Sequence, residues 1–140
     1  MNHLSVAIAD DNQKILDLLE KVIGTDQELD LVGKAKNGEE MCRIIKEKNP
    51  DVVLLDLIMP KMDGLTVMDQ INQDKSVSKR PYFIVITAVG QEKITEDAFN
   101  KGANYYIIPS LTVGKIKMAT NPVNMGSVAV FYFVTICAIL

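Results

Sequence analysis

Short apolar runs and amphipathic stretches alternate along the first 109 residues. Leu4 to Ala9 is a short apolar run that stops at Asp10-Asp11. It is too short for a helix and predicts a buried strand. Asp11 or Asn12 can cap a first helix, in which Ile15, Leu18, Leu19 and Val22 recur at helical spacing and Gly24 marks the stop. Leu29 to Ala35 is a weaker strand with partial alternation. Asn37 to Glu40 has the spacing of a capping box, and Met41, Ile44 and Ile45 then line one helical face. Asn49-Pro50 ends that helix. Val52 to Leu55 is apolar at every position, as expected of a central parallel strand covered on both faces. Pro60 and Gly64 mark a loop, and Leu65, Met68 and Ile71 form the next helical stripe. Pro81 opens a strand over 82–87. Gln91 to Lys101 reads as a helix with Ile94 and Ala98 inward, closed by Gly102. Tyr105 to Ile108 is a fifth strand, stopped by Pro109.

Five strands alternating with helices predict an α/β domain with a parallel sheet and helices on both faces. In such a sheet the functional site lies at the carboxyl ends of the strands. The length of 140 residues fits one domain. Charge divides it. All 18 acids lie at or before Asp97, so residues 1–110 carry a net −5 and residues 111–140 a net +2. In those last thirty residues 19 are apolar. The division is therefore a core over 1–109 and an atypical segment over 110–140. The overall charge of −3 offers no excess cation for nucleic acid. Two cysteines, Cys42 and Cys137, make no disulfide framework, and no signal segment opens the chain, so a cytoplasmic setting is expected.

Three acids end two predicted strands: Asp10 and Asp11 after the first, Asp56 after the third. If those strands are neighbours, the carboxylates converge. They would raise one another's pKa values unless a cation neutralised them. An all-oxygen cluster suits Mg²⁺, with Ca²⁺ or Mn²⁺ as other hard cations. Separately, each acid has a plain role, as a cap or a strand end; it is the trio at one edge that points to a site. Thr87 ends the fourth strand at the same edge and alone reads as a turn residue. His3 precedes the first strand, Cys42 reads as a small apolar packer, and Lys75, Lys79 and Arg80 read as a solvated basic loop.

The segments Asp10-Asp11, Asp56-Leu57-Ile58-Met59-Pro60-Lys61-Met62-Asp63-Gly64, Thr87-Ala88 and Gly102-Ala103-Asn104-Tyr105-Tyr106 resemble the receiver domain of bacterial two-component response regulators. The resemblance covers roughly residues 4–109. Within that family, Val6 to Asn12 and Gly90 to Thr95 are most similar to receivers that control sporulation in endospore-forming bacteria. The resemblance implies a flavodoxin-like (βα)5 sandwich with strand order 2-1-3-4-5. It implies that Asp56 accepts a phosphoryl group from a histidine kinase or relay phosphotransferase. It makes Asp10, Asp11, Asp56 and the backbone carbonyl of Ile58 the divalent-cation ligands, Thr87 the phosphoryl-binding hydroxyl, and Tyr106 the aromatic that rotates inward. Met59, Pro60 and Gly64 shape the loop, Gly64 through its backbone freedom. The module is a signalling domain rather than an enzyme.

The match breaks at Ile108-Pro109. Receivers carry a lysine before that proline, and the segment is one residue short. The expectation is that the strand keeps its register, the loss falls at its end, and phosphorylation or its coupling to Tyr106 is weakened. Lys115 or Lys117 remains as a substitute. A receiver then continues into a fifth helix. Leu111 to Met118 allows at most a short one, broken by Asn121-Pro122. Val128 to Leu140 is apolar except at Thr135, too short for an ordinary membrane span. It reads as a replacement helix from Ser127, as an element exchanged in a homodimer, or as the product of a truncated or frameshifted gene. No DNA-binding domain is expected within the 140 residues. A competing function is a receiver-fold module that has lost its switch and acts by dimerising. An aspartate-nucleophile phosphatase would need a second acid where Ile58 stands, and a flavin protein would need a Gly-rich loop where Asp10 to Gln13 stands.

Overall fold

A run such as Val52 to Leu55 has no polar face to offer water, so it becomes the middle of the sheet. The computed structural model describes residues 3–88, 90–109 and 116–120. Its strands are β1 (Leu4–Ala9), β2 (Leu29–Ala35), β3 (Val52–Leu55), β4 (Tyr82–Ile86), β5 (Ala103–Pro109) and β6 (Ile116–Thr120). Its helices are α1 (Gln13–Gly24), α2 (Gly38–Lys48), α3 (Gly64–Gln73) and α4 (Glu92–Asn100). The sheet order is β2-β1-β3-β4-β5-β6. The first five strands are parallel in the expected order 2-1-3-4-5, and β6 runs antiparallel to β5.

Two cores lie on opposite faces. On one, Val53, Leu55, Phe83, Val85 and Tyr106 meet Met41 and Ile45 of α2, Val67, Met68 and Ile71 of α3, and Ala98 of α4. On the other, Val6, Ile8, Leu54, Ile84, Tyr105 and Ile107 meet Leu16, Leu19 and Ile23 of α1. The α1 stripe is rotated from the one expected from spacing: Leu18 is 43% exposed, while Leu16 and Ile23 are buried. Leucine and isoleucine occur all round this helix, so spacing alone does not choose which set faces the sheet.

The caps follow the sequence closely. Asn12 Oδ1 accepts from Lys14 N–H at 2.9 Å, and Asn37 Oδ1 accepts from Glu40 N–H at 2.9 Å. The returning bond of the box goes one residue further out, from Lys36 N–H to Glu40 Oε2 at 3.2 Å. The basic loop is exposed at Lys75, Lys79 and Arg80, as expected, and two of its cations have partners. Lys79 pairs with Asp51, which also accepts from the backbone and hydroxyl of Ser5. The Arg80 guanidinium lies 5.4 Å from the centre of the Phe83 ring and bonds the Lys101 carbonyl at 3.0 Å.

The expected short helix over 111–118 is corrected in part. Residues 116–118 belong to β6, which pairs Ile116 with Pro109 and Lys117 with Ile108. A strand there satisfies the outer backbone groups of β5, which a short helix interrupted by Gly114 would leave open. The remaining readings of the last thirty residues, including the helix from Ser127 and the apolar stretch 128–140, lie outside the described residues. No helix among the described residues is long and apolar enough to cross a membrane.

Candidate functional site

Adjacent parallel strands bring their carboxyl ends together. β1 and β3 pair as far as Ala9 and Leu55, so Asp10 and Asp56 stand side by side. Asp56 N–H bonds the Ala9 carbonyl at 3.0 Å, and Asp10 N–H bonds the Ala35 carbonyl at 3.0 Å. Carboxylate oxygens of Asp10, Asp11 and Asp56 all lie within 4.8 Å of one another. Asp10 is buried, Asp56 half-buried and Asp11 exposed. Asp10 Oδ1 accepts from Asn12 N–H at 2.9 Å, which fixes its rotamer.

Burial raises the Asp10 carboxyl to about 6. The Asn12 N–H opposes this, and the charges of Asp56 and Asp11 add to it. Burial also raises Asp56, against hydrogen bonds from Ile58 N–H and the Thr87 side chain. Among the described residues, no ion pair involves Asp10, Asp11 or Asp56. This strained trio, with only oxygen donors, fits a hard divalent cation.

The other expected residues surround it. Thr87 is buried, its N–H held by the Ile107 carbonyl at 3.1 Å and its side chain bonded to Asp56. Tyr106 is 1% exposed, in the inward position, with its hydroxyl bonded to Thr95 and its ring edge-on to Phe99 at 6.3 Å. Burial pushes the Tyr106 phenol up, and the Asp56 charge acts in the same sense. Ile58 is 63% exposed on the rim, whereas Leu57 and Met59 turn inward. His3 lies apart, 3.6 Å from Asp30.

The loop after β3 is tight. Met62 N–H bonds the Pro60 carbonyl at 2.7 Å around Lys61, whose φ is 67°. Gly64 is needed for a reason other than the one expected: its φ is not in the left-handed region, but its N–H bonds the Leu57 carbonyl at 3.0 Å, and a Cβ would collide with the Asp56 carbonyl oxygen and Leu57 Cα. Gly64→Ala is expected to cost about 1–3 kcal/mol by overpacking, read as a lower denaturant midpoint. An unchanged midpoint would contradict the close approach.

At the lysine position the chain carries Ile108 before Pro109. β5 places Tyr106 opposite Val85, and Ile108 is half-buried against the same core as Tyr106. The substitute lysine is not placed to serve. Position 117 lies on β6, three strand spacings from β3, roughly 14 Å at the usual inter-strand distance and more than a lysine stem spans. Lys115 lies outside the described residues. The sequence pattern also gave no sign of Thr95, which holds the Tyr106 hydroxyl across a helix–strand packing that no local pattern announces.

A parallel α/β sheet with an acidic trio, a hydroxyl and a buried tyrosine at its carboxyl edge defines a class of phosphoryl-switch domains. The chain belongs to the response regulator receiver family, whose domain model matches residues 6–121. Among solved structures it is similar to a chain of the CheX–CheY–BeF3–Mg²⁺ complex from Borrelia burgdorferi, at 32% identity over 78% of this chain and 80% of that one, with a TM-score of 0.69. It is 26% identical to the receiver domain of the putative response regulator NarL from Mycobacterium tuberculosis, over 76% of this chain and 83% of that one, with a TM-score of 0.69. The response regulator domain of Thermotoga maritima CheB shares the fold at 23% identity and a TM-score of 0.71, over 99% of this chain and 97% of that one.

Proposed function

We propose that this chain is a phosphoacceptor receiver in which Asp56 takes a phosphoryl group from the phosphohistidine of a kinase or relay phosphotransferase. The observation that carries this is the convergence of Asp10, Asp11 and Asp56 within 4.8 Å, with the Thr87 side chain on Asp56. A carboxylate oxygen of Asp56 attacks phosphorus, the bond to the donor nitrogen breaks, and the donor leaves with the electron pair. Asp10, Asp11, Asp56 and the Ile58 carbonyl are the proposed ligands of a divalent cation, with Mg²⁺ the best match to oxygen donors. Bound there, it would supply neutralisation of the phosphoryl oxygens. The Borrelia burgdorferi relative, whose complex contains Mg²⁺ and BeF3, supports that choice.

Thr87 is set to donate its hydroxyl proton to a phosphoryl oxygen. Tyr106, one strand further on, is placed to report that bond at the α4–β5 surface. Residues 1–109 form the receiver core in this reading, with β6 (Ile116–Thr120) added beside β5 at the sheet edge. A role in sporulation control rests on the likeness of Val6 to Asn12 and Gly90 to Thr95 to such receivers, and a cytoplasmic setting goes with it. The second reading is a switch-impaired module acting by self-association. It draws on Ile108 at the lysine position and on β6 beside β5. Treatment with acetyl phosphate and Mg²⁺ followed by intact mass measurement is expected to show one phosphoryl group, absent when the cation is chelated. No mass gain under any cation would overturn the leading reading and favour the second.

A further inference from the structure

β5 contains a bulge in a parallel ladder, where bulges are rare and tend to re-aim a side chain. Phe83 pairs with Ala103, but the next residue, Ile84, pairs with Tyr105, so Asn104 is the extra residue. The bulge disturbs the ladder at Phe83, and Asn104 repairs it. Its Oδ1 accepts from Phe83 N–H at 3.0 Å, in a bond buried from solvent. Asn104 itself is 2% exposed.

The extra residue changes the parity of every later position in the strand. In an uninterrupted strand, alternate residues share a face. Ala103 would then share its face with Tyr105 and Ile107. Instead Ala103 and Tyr106 lie in the core under α2, α3 and α4, whereas Tyr105 and Ile107 lie in the core under α1. Two tyrosines stand in succession, and the bulge selects which of them faces α4 and the Thr87–Asp56 side.

We propose that Asn104 is a positioning residue: its side-chain amide stabilises the bulge that turns Tyr106, rather than Tyr105, toward α4. Its importance for switching rests on the role proposed for Tyr106, but the geometry can be tested without metal or phosphoryl group. The readout is the nuclear Overhauser contact between a tyrosine ring and the Phe99 ring, with Tyr105→Phe and Tyr106→Phe used for assignment. Asn104→Val removes the acceptor and favours a regular strand. It is expected to abolish the Tyr106–Phe99 contact and put Tyr105 in its place, or to unfold. Deletion of Asn104 removes the extra residue and leaves Tyr105 opposite Ile84. It is expected to fold and keep the Tyr106–Phe99 contact. Retention of that contact in Asn104→Val overturns the proposal. So does its loss, or failure to fold, in the deletion variant. Absence of phosphorylation would undo the switching role while leaving these contacts unchanged, so the two failures are distinguishable.

Discussion

Asp10→Asn is expected to make the cation-free protein more stable at neutral pH. Asparagine keeps the Oδ1 acceptor for Asn12 N–H and removes a buried charge facing Asp11 and Asp56. The Asp10 carboxyl titrates near 6 in the fold and at its ordinary 3.8 in the unfolded chain. A carboxyl with a raised folded value favours folding below its unfolded value, and that advantage is lost as pH rises through about 6. The gap of roughly two pKa values corresponds to on the order of 2 kcal/mol after allowance for partial solvation. The variant should therefore exceed wild type in denaturant midpoint at pH 7–8, and the two should converge near pH 4. Added Mg²⁺ should raise the melting temperature of wild type and leave that of the variant nearly unchanged, because ligand binding to the folded state stabilises only where a site exists. A variant less stable than wild type at pH 7.5 would show that the three carboxylates are not under electrostatic strain.

A lysine inserted between Ile108 and Pro109 is expected to increase both the rate of labelling by acetyl phosphate and the response of Tyr106 to it. Among the described residues no ion pair involves Asp10, Asp11 or Asp56, and position 117 on β6 lies too far along the sheet to supply a cation. An added cation at the end of β5 would pair with phosphoryl oxygens as they gain charge. A gain of about tenfold corresponds to only 1.4 kcal/mol of barrier, which is modest for a charge-assisted hydrogen bond. Equal labelling and an equal Tyr106 response with and without the inserted residue would show that the site works without this cation.

Both expectations start from residues that the one-dimensional pattern already singles out. Val52 to Leu55 announced a central strand because four consecutive apolar residues can be buried only on both faces. Asp10, Asp11 and Asp56 were legible as a trio because the carboxyl ends of parallel strands share one edge. The orientation of α1 was not, since Leu16 and Leu18 are alike in type and only the sheet decides between them. Gly64 was identified, but its reason was not: close approach to the Asp56 carbonyl is a contact made by folding, whereas left-handed backbone is a local property. β6 and the Asn104 bulge depend on a partner strand, β5 for one and β4 for the other, and no periodicity within either segment encodes them.

The central claim is that Asp56 is the acceptor. It is tested most directly by treating the chain with acetyl phosphate and Mg²⁺, reducing any acyl phosphate with borohydride, and mapping the peptides. Reduction converts an aspartyl phosphate to homoserine. Homoserine is expected at position 56 and at no other acid, with none formed when the cation is chelated. Homoserine at Asp10 or Asp11, or unmodified aspartate at all three positions after treatment with cation present, would contradict it.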